Sequence, residues 1–487
     1  MLIDGELTGS GSGATFDNVN PATGAVLGST AAADSGDMLR AIAAARRAFD
    51  ETDWSTNRAL RRRCLDQLQQ ALESEKHELG EELVAEVGCP VMTLGNAQLD
   101  WPLAGALRYP SMLIDTFEWE RTLDGGGLFG DRNVRTVVQE PVGVVAAICP
   151  SNYPIEVVLN KLGPALAAGN TVVLKPDPNT PWNATRLGRL IAERTDIPPG
   201  VVNVVPTPSN EVAGLLGTDA RVDMVSFTGS TAVGRTLMRL GADTMKRTFL
   251  ELGGKSALIV LDDADPAAAI RSAAGVCVHA GQACAATSRM LVHRTIFDDL
   301  VAGVTAAFQA VPVGDPALPD TVVGPVISAA QRERVLDACA RATADGARLI
   351  TGGGAVRTLP PPLAGGYYVE PTVFVCDDPG LPIAQEEVFG PVVVMIPFDD
   401  DDEAVRIADH SAYGLAGAVL SASTDRGMAI ARRIRTGAVG VNGGMFYGVD
   451  APFGGYKNSG VGRQCGLEGF RQYLETKTIG CRIPRRR

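Results

Sequence analysis

The chain has 487 residues, 44 Lys+Arg against 56 Asp+Glu for a formal net charge of −12, and 45% hydrophobic residues. That length exceeds one hydrophobic core and predicts two or three domains, while the acidic balance excludes a basic nucleic-acid surface. The nine cysteines are scattered without a CxxC pair and the four histidines sit at no ligand spacing, which excludes a disulfide scaffold and a zinc site.

Residues 1–30 are rich in Gly, Thr and Asn and predict short strands and turns. No basic stretch there leads into an apolar one, so no signal peptide is expected. No run of about 20 apolar residues occurs, so no membrane span is expected either. The thiols then read as reduced and the compartment as cytoplasmic. DMLRAIAAARRAFD (37–50) carries apolar residues at helical spacing, and 55–86 continues as helices with a charged face. RTLDGGGLFGDRNVRTVVQEP (121–141) reads as an inserted hairpin. Then a rhythm begins. VGVVAAI (142–148), TVVLKP (171–176), VVNVVP (201–206) and DMVSFTGS (223–230) are continuous apolar runs, each followed by a helical segment. Such alternation predicts an α/β fold, a parallel sheet covered on both faces, with ligands at the carboxyl ends of the strands. SALIVLDDADPAAAIRSAAG opens another strand–helix series, so a second α/β domain is expected from about 251. TGGGAV (351–356) marks a turn, and the terminal RIPRRR reads as a solvated end.

Five short stretches combine polar groups with tight backbone. In CPSNYP (149–154), Asn152 can donate an N–H to developing negative charge, or serve as a turn residue between two prolines. FTGSTAVGR (227–235) follows a strand and opens a helix whose N-terminus favours phosphate. LELGGK (250–255) sets Glu251 beside two glycines, as a general base or a solvated charge. QEEVFGPV (385–392) offers carboxylates for ribose hydroxyls or a helix end, and PFGGYKNSGVGR (452–463) reads alone as a long connection. GQAC places Cys284 among small residues, where a thiol is either packed core or a nucleophile.

Together, PSNYP, LKP, FTGSTAVG, LELGGK, GQAC, EEVFGPV and PFGGYKNSG occur in the order of one family. The chain resembles the NAD(P)-dependent aldehyde dehydrogenase superfamily nearly end to end. The resemblance implies a Rossmann-like parallel-sheet cofactor domain (1–120 and 142–250), an α/β catalytic domain (251–450), and a small bridging β-sheet for oligomerisation (121–141 and 470–487). It implies oxidation of an aldehyde to a carboxylic acid with reduction of NAD or NADP. Cys284 would be the nucleophile, passing through a thiohemiacetal and a thioester. Asn152 and the Cys284 backbone N–H would hold the oxyanion, Glu251 would activate water, and Lys161 would exchange protons with the base. By the same resemblance Lys175 binds the adenosine ribose, Gly229 and Ser230 the pyrophosphate, Glu387 the nicotinamide ribose, and Phe389 the nicotinamide. Ile148, Pro150, Pro176, Asp177, Val233 and Leu252 complete the cofactor set. Tyr153, Asn160, Tyr447 and Phe453 would line the substrate tunnel. The partners expected are a small aldehyde and further copies of the chain, as a dimer or tetramer, with no nucleic acid, membrane or metal.

The chain departs from the family in places. Ser151 stands where many members have Trp beside the oxyanion Asn, and Asn160 where the tunnel has Trp. Gln464 stands where many members have a Glu in the proton path. Pro178 stands where NAD-preferring members have a Glu that binds both ribose hydroxyls. That loss removes one barrier to NADP, and neighbouring Asp177 restores part of it, so NAD is slightly favoured. An acylating enzyme that hands the thioester to coenzyme A, and a silent protein on the same scaffold, are the other readings; retention of Glu251 and Cys284 counts against each. An esterase activity that needs no cofactor is compatible with the main one.

Overall fold

The computed structural model describes residues 1–125 and 132–483. The tip of the predicted hairpin and the last four residues of the basic end lie outside the described residues.

An eight-stranded sheet carries the first half of the chain. Its spatial order is Gly460–Val461, Arg247–Leu252, Met224–Gly229, Val144–Ile148, Thr171–Lys175, Val202–Val204, Leu2–Ile3 and Glu6–Leu7. The five strands from Arg247–Leu252 to Val202–Val204 are mutually parallel, and the short outer strands pair antiparallel. Strand alternation explains why VVAAI is apolar throughout. Val145 and Ala147 enter one core with Leu159 and Leu166 of the helix Pro154–Ala168, whereas Val144 and Ala146 enter another with Ala41 and Ile42 of the helix Ser35–Glu51.

Chain order reverses at Val144–Ile148. From there the chain proceeds outward through Thr171–Lys175 and Val202–Val204, then crosses back to Met224–Gly229 on the other side. The helix after Val144–Ile148 packs on one face. The helix after Met224–Gly229, Thr231–Gly241, places Leu237 in the core of the opposite face. The two helices therefore diverge and leave a crevice at the carboxyl ends of these strands, where open α/β sheets bind ligands.

A seven-stranded sheet forms the second unit, in the order Arg348–Thr351, Thr372–Val375, Val392–Phe398, Arg289–His293, Ala257–Val260, Ala416–Leu420 and Ala438–Val441. All its pairings are parallel except that of the edge strand Arg348–Thr351. The two sheets do not divide at 251. Arg247–Leu252 lies wholly in the first sheet, with Glu251 opposite Thr228, and the second sheet begins at Ala257. The chain also returns to the first sheet at Gly460–Val461, which pairs with Leu250 and Glu251. The predicted hairpin forms as Glu120–Gly125 and Arg132–Pro141, and Leu474–Ile483 adds to it over ten paired positions to make a third, three-stranded sheet.

Candidate active site

A cavity of about 1640 Å³ opens between the carboxyl ends of the two large sheets. It is lined by Cys284, Glu251 and Asn152, and by the cofactor-set residues Ile148, Pro150, Lys175, Asp177, Gly229, Ser230, Val233, Leu252, Glu387 and Phe389. Tyr153, Tyr447 and Phe453 line it as well, with Ser151, Pro178 and Gln464 at the positions of departure. Three residues assigned from sequence do not reach it: Lys161, Pro176 and Asn160.

Cys284 is presented by strained backbone. The three residues His279, Ala280 and Gly281 all have left-handed φ, +53°, +51° and +72°. Two are not glycine, and such conformations persist only where the surroundings enforce them. The enforcement comes from Gln282. Its Oε1 accepts from the Ile327 N–H at 2.8 Å, and its Nε2 donates to the carbonyls of Pro325 and His279 at 3.3 Å each. Its own carbonyl accepts from Asn152 Nδ2 at 2.9 Å, so one side chain locks the cysteine loop and the oxyanion candidate together. The Asn152 carbonyl is held in turn by Gln98 Nε2 at 2.9 Å and His279 Nε2 at 3.0 Å. A carbonyl only accepts, so His279 carries its proton on Nε2; burial lowers its pKa to about 4 and keeps it neutral. One Asn152 amide hydrogen is thus committed to Gln282, and the other remains to face the cavity.

At Gly281 a Cβ would lie 2.0 Å from the Gly390 carbonyl oxygen, in the loop that follows Phe389. The GQAC and EEVFGPV loops touch backbone to backbone there, and any side chain would part them. Gly281→Ala is expected to cost on the order of 3 kcal/mol, from the contact and from positive φ together, with loss of activity. Chemical denaturation and a rate assay on the same preparation check this. The two glycines after Glu251 serve a similar approach: a Cβ at Gly253 would meet the Glu387 carboxylate at 2.1 Å. Glu387 instead accepts from the Gly254 N–H at 3.1 Å.

The electrostatics follow from burial. Desolvation, then the negative charge of Glu251, holds the Cys284 thiol well above its ordinary pKa. Burial pushes Glu251 up to about 8, opposed chiefly by the charge of Lys161. Glu251 Oε1 makes no hydrogen bond among the described residues. Lys161 is wholly buried behind the cavity, with Nζ 3.2 Å from Ser226 Oγ, which lies 3.0 Å from Tyr473 OH. Burial lowers Lys161 to about 8, while the carboxylates of Glu251 and Glu156 raise it. Burial thus shifts both groups toward their neutral forms, and the charge of each opposes the shift of the other.

Nothing in the sequence motifs singles out Glu156. It lines the cavity, is 8% exposed, and has its pKa raised to about 7 by burial. Asn160, expected in the tunnel wall, lies behind it: its Nδ2 donates to Glu156 Oε1 at 2.9 Å and lies 3.2 Å from Tyr447 OH. Its short amide stops at those partners, where a longer aromatic side chain would fill the space.

Residues 8–479 match the model of the aldehyde dehydrogenase family, and the chain belongs to that family. It is 39% identical over 482 residues to 3-succinoylsemialdehyde-pyridine dehydrogenase of a Pseudomonas species, which covers 98% of both chains. Among solved structures it resembles the indole-3-acetaldehyde dehydrogenase AldA of P. syringae in complex with NAD+ and IAA. The TM-score is 0.92 and the identity 38%, covering 99% of this chain and 96% of that one. It also resembles an aldehyde dehydrogenase of Mycobacterium tuberculosis complexed with NAD+, with a TM-score of 0.92 and 39% identity over 98% of this chain and 96% of the other.

Proposed function

We propose that this chain oxidises an aldehyde to a carboxylic acid with Cys284 as nucleophile, Asn152 as oxyanion donor and Glu251 as hydrolytic base. The observation that carries the reading is their convergence on one cavity in a chain of this family. The Cys284 thiolate attacks the carbonyl carbon. The resulting oxyanion is held by the free Asn152 amide hydrogen and the Cys284 backbone N–H. A nicotinamide dinucleotide, when bound, supplies the hydride acceptor. Glu251 then takes a proton from water as it attacks the Cys284 thioester and releases the acid and the Cys284 thiolate, and the charge of Lys161 behind it favours the return of Glu251 to its ionised form.

The residues present fit a dinucleotide. The cavity exceeds the roughly 300–1,000 Å³ of ordinary small-molecule sites, leaving room for a cofactor and an aldehyde together. Ser230 caps the helix Thr231–Gly241, whose N-terminus opens on the cavity and favours the pyrophosphate. Lys175, Asp177 and Glu387 offer one donor and two carboxylates for ribose hydroxyls. Pro150, Ile148, Val233, Leu252 and Phe389 supply apolar walls, with Pro176 shaping the turn after Lys175. The first sheet is thus the cofactor-binding unit and the second carries the nucleophile. Reduction of NAD over a panel of short aliphatic, long aliphatic and aromatic aldehydes tests the reading, and no turnover of any overturns it.

NAD is preferred modestly. Asp177 places a carboxylate beside the position that Pro178 occupies, although Asn179 engages its Oδ1 through two hydrogen bonds of 2.9 and 2.8 Å. Asp177→Asn is expected to lower the NAD:NADP ratio of kcat/KM about tenfold by removing repulsion of a 2′-phosphate. Parallel initial rates with the two cofactors check it.

Among the described residues Leu474–Ile483 is an edge strand of the third sheet, and an edge strand is a template for a partner strand. A homodimer or homotetramer built on that edge is the assembly this reading expects, and sedimentation equilibrium tests it. No helix among the described residues is long and apolar enough to cross a membrane. With no disulfide among the nine cysteines, the cytoplasm is the compartment that suits it.

A further inference from the structure

Glu156 stands in the wall of the substrate arm with half of its carboxylate unspent. Oε1 receives the Asn160 amide at 2.9 Å and the Tyr447 hydroxyl. Oε2 receives no hydrogen bond among the described residues. Tyr447 is itself fixed, with its hydroxyl accepting from Gln464 Nε2 at 2.8 Å, so the carboxylate is clamped on one side and presented on the other. Its place in the first turn of the helix Pro154–Ala168 favours the charged form. Among the described residues, Lys161 is the cation whose charge bears on Glu156, and it lies behind the wall, outside the cavity. The basic residues that do line the cavity, Lys175, Arg334 and Arg341, lie at the end of the strand Thr171–Lys175 and on the helix Ala329–Ala344.

Aromatic residues line the same cavity as this carboxylate, and the hydroxyl of one of them, Tyr447, bonds to it. The Tyr447 ring centroid lies 4.8 Å from that of Trp101 and 4.8 Å from that of Phe453, and Tyr153 lines the same arm. A buried carboxylate with a free oxygen repels an anionic substrate and strands an uncharged one beside an unpaired charge. Aromatic faces attract a cation through their quadrupoles, most of all a quaternary ammonium. We propose that Glu156 is a specificity-determining residue, and that this arm selects aldehydes whose far end carries a positively charged nitrogen. This rests on the aldehyde-oxidising reading of the same cavity.

The test uses the wild-type chain and Glu156→Gln, which keeps the side-chain shape. Two aldehydes of one shape are compared, the trimethylammonium aldehyde and its carbon isostere 3,3-dimethylbutanal, with NAD. The ratio of their kcat/KM values is expected to favour the cation by about tenfold or more in wild type and to fall about tenfold in Glu156→Gln, mainly through KM. A ratio near one in wild type, or a preference that survives Glu156→Gln, overturns the proposal. Calorimetric binding of choline against 3,3-dimethylbutan-1-ol to the wild-type chain gives a readout free of turnover and of whether the variant folds. Selective choline binding without oxidation of any aldehyde overturns the proposed activity and supports the cation site. Oxidation of the uncharged aldehyde with no preference for choline supports the activity and overturns the cation site.

Discussion

Replacing Cys284 with alanine is expected to lower aldehyde-dependent reduction of NAD by about 10⁴-fold or more, because it removes the atom on which the reaction is carried. The oxyanion donors and the cavity survive the change, so binding of cofactor and aldehyde should persist while turnover does not. A rival thiol is close at hand. Cys149 also lines the cavity, at the end of the strand Val144–Ile148. Burial pushes it up to about 12, and the charges that act on it are Lys161, Lys175 and Asp177 rather than Glu251. It therefore lacks a hydrolytic base beside it to clear a thioester, and Cys149→Ser should retain most of the activity. The paired rates decide the matter. Residual turnover above about one-hundredth in Cys284→Ala, or collapse in Cys149→Ser, moves the nucleophile from one side of the crevice to the other.

The sequence carries the strands more plainly than the loops. Continuous apolar runs such as VVAAI and TVVLK can be satisfied only by burial on both faces, so the parallel sheet and its ligand edge are legible from them. The motif order likewise points to Cys284, Asn152 and Glu251, and the structure brings all three to one cavity. What stays hidden is contact between distant segments. Nothing local in GQAC reveals that Gln282 bonds Pro325, Ile327 and Asn152. Nothing in PFGGYKNSGVGR shows that Gly460–Val461 extends the sheet beside Glu251, so that stretch reads as a connection and the boundary between the sheets falls in the wrong place. Glu156 hides for a different reason. An acid in the first turn of an apolar helix is what the helix dipole favours, and the bland explanation is complete without a cavity. Asn160 is misplaced because its position matches a tunnel aromatic, whereas its shorter side chain ends on Glu156.

Glu251→Gln is expected to separate the two halves of the reaction. The variant keeps the shape of a side chain that is 3% exposed and loses the group that takes a proton from water. Acylation of Cys284 then yields about one equivalent of reduced NAD per site, followed by a steady rate lower by about 10²–10⁴-fold, the usual contribution of a positioned base. The pH profiles of the two phases should diverge. In the wild-type chain burial holds the Glu251 pKa well above the usual carboxylate range, and only its ionised form can act as a base, so hydrolysis rises with pH as this group ionises. The variant has no such group and its slow phase loses that rise. The burst behaves in the opposite way. The charge of Glu251 is one of the causes that hold the Cys284 thiol high, so its removal lets the thiol ionise at lower pH and shifts the burst profile to lower pH. Rapid-mixing measurement of both phases from pH 6 to 9 reads this directly. A burst that vanishes together with the steady rate, and returns only at high pH, would instead make Glu251 the base that deprotonates the thiol, and water would then need another activator.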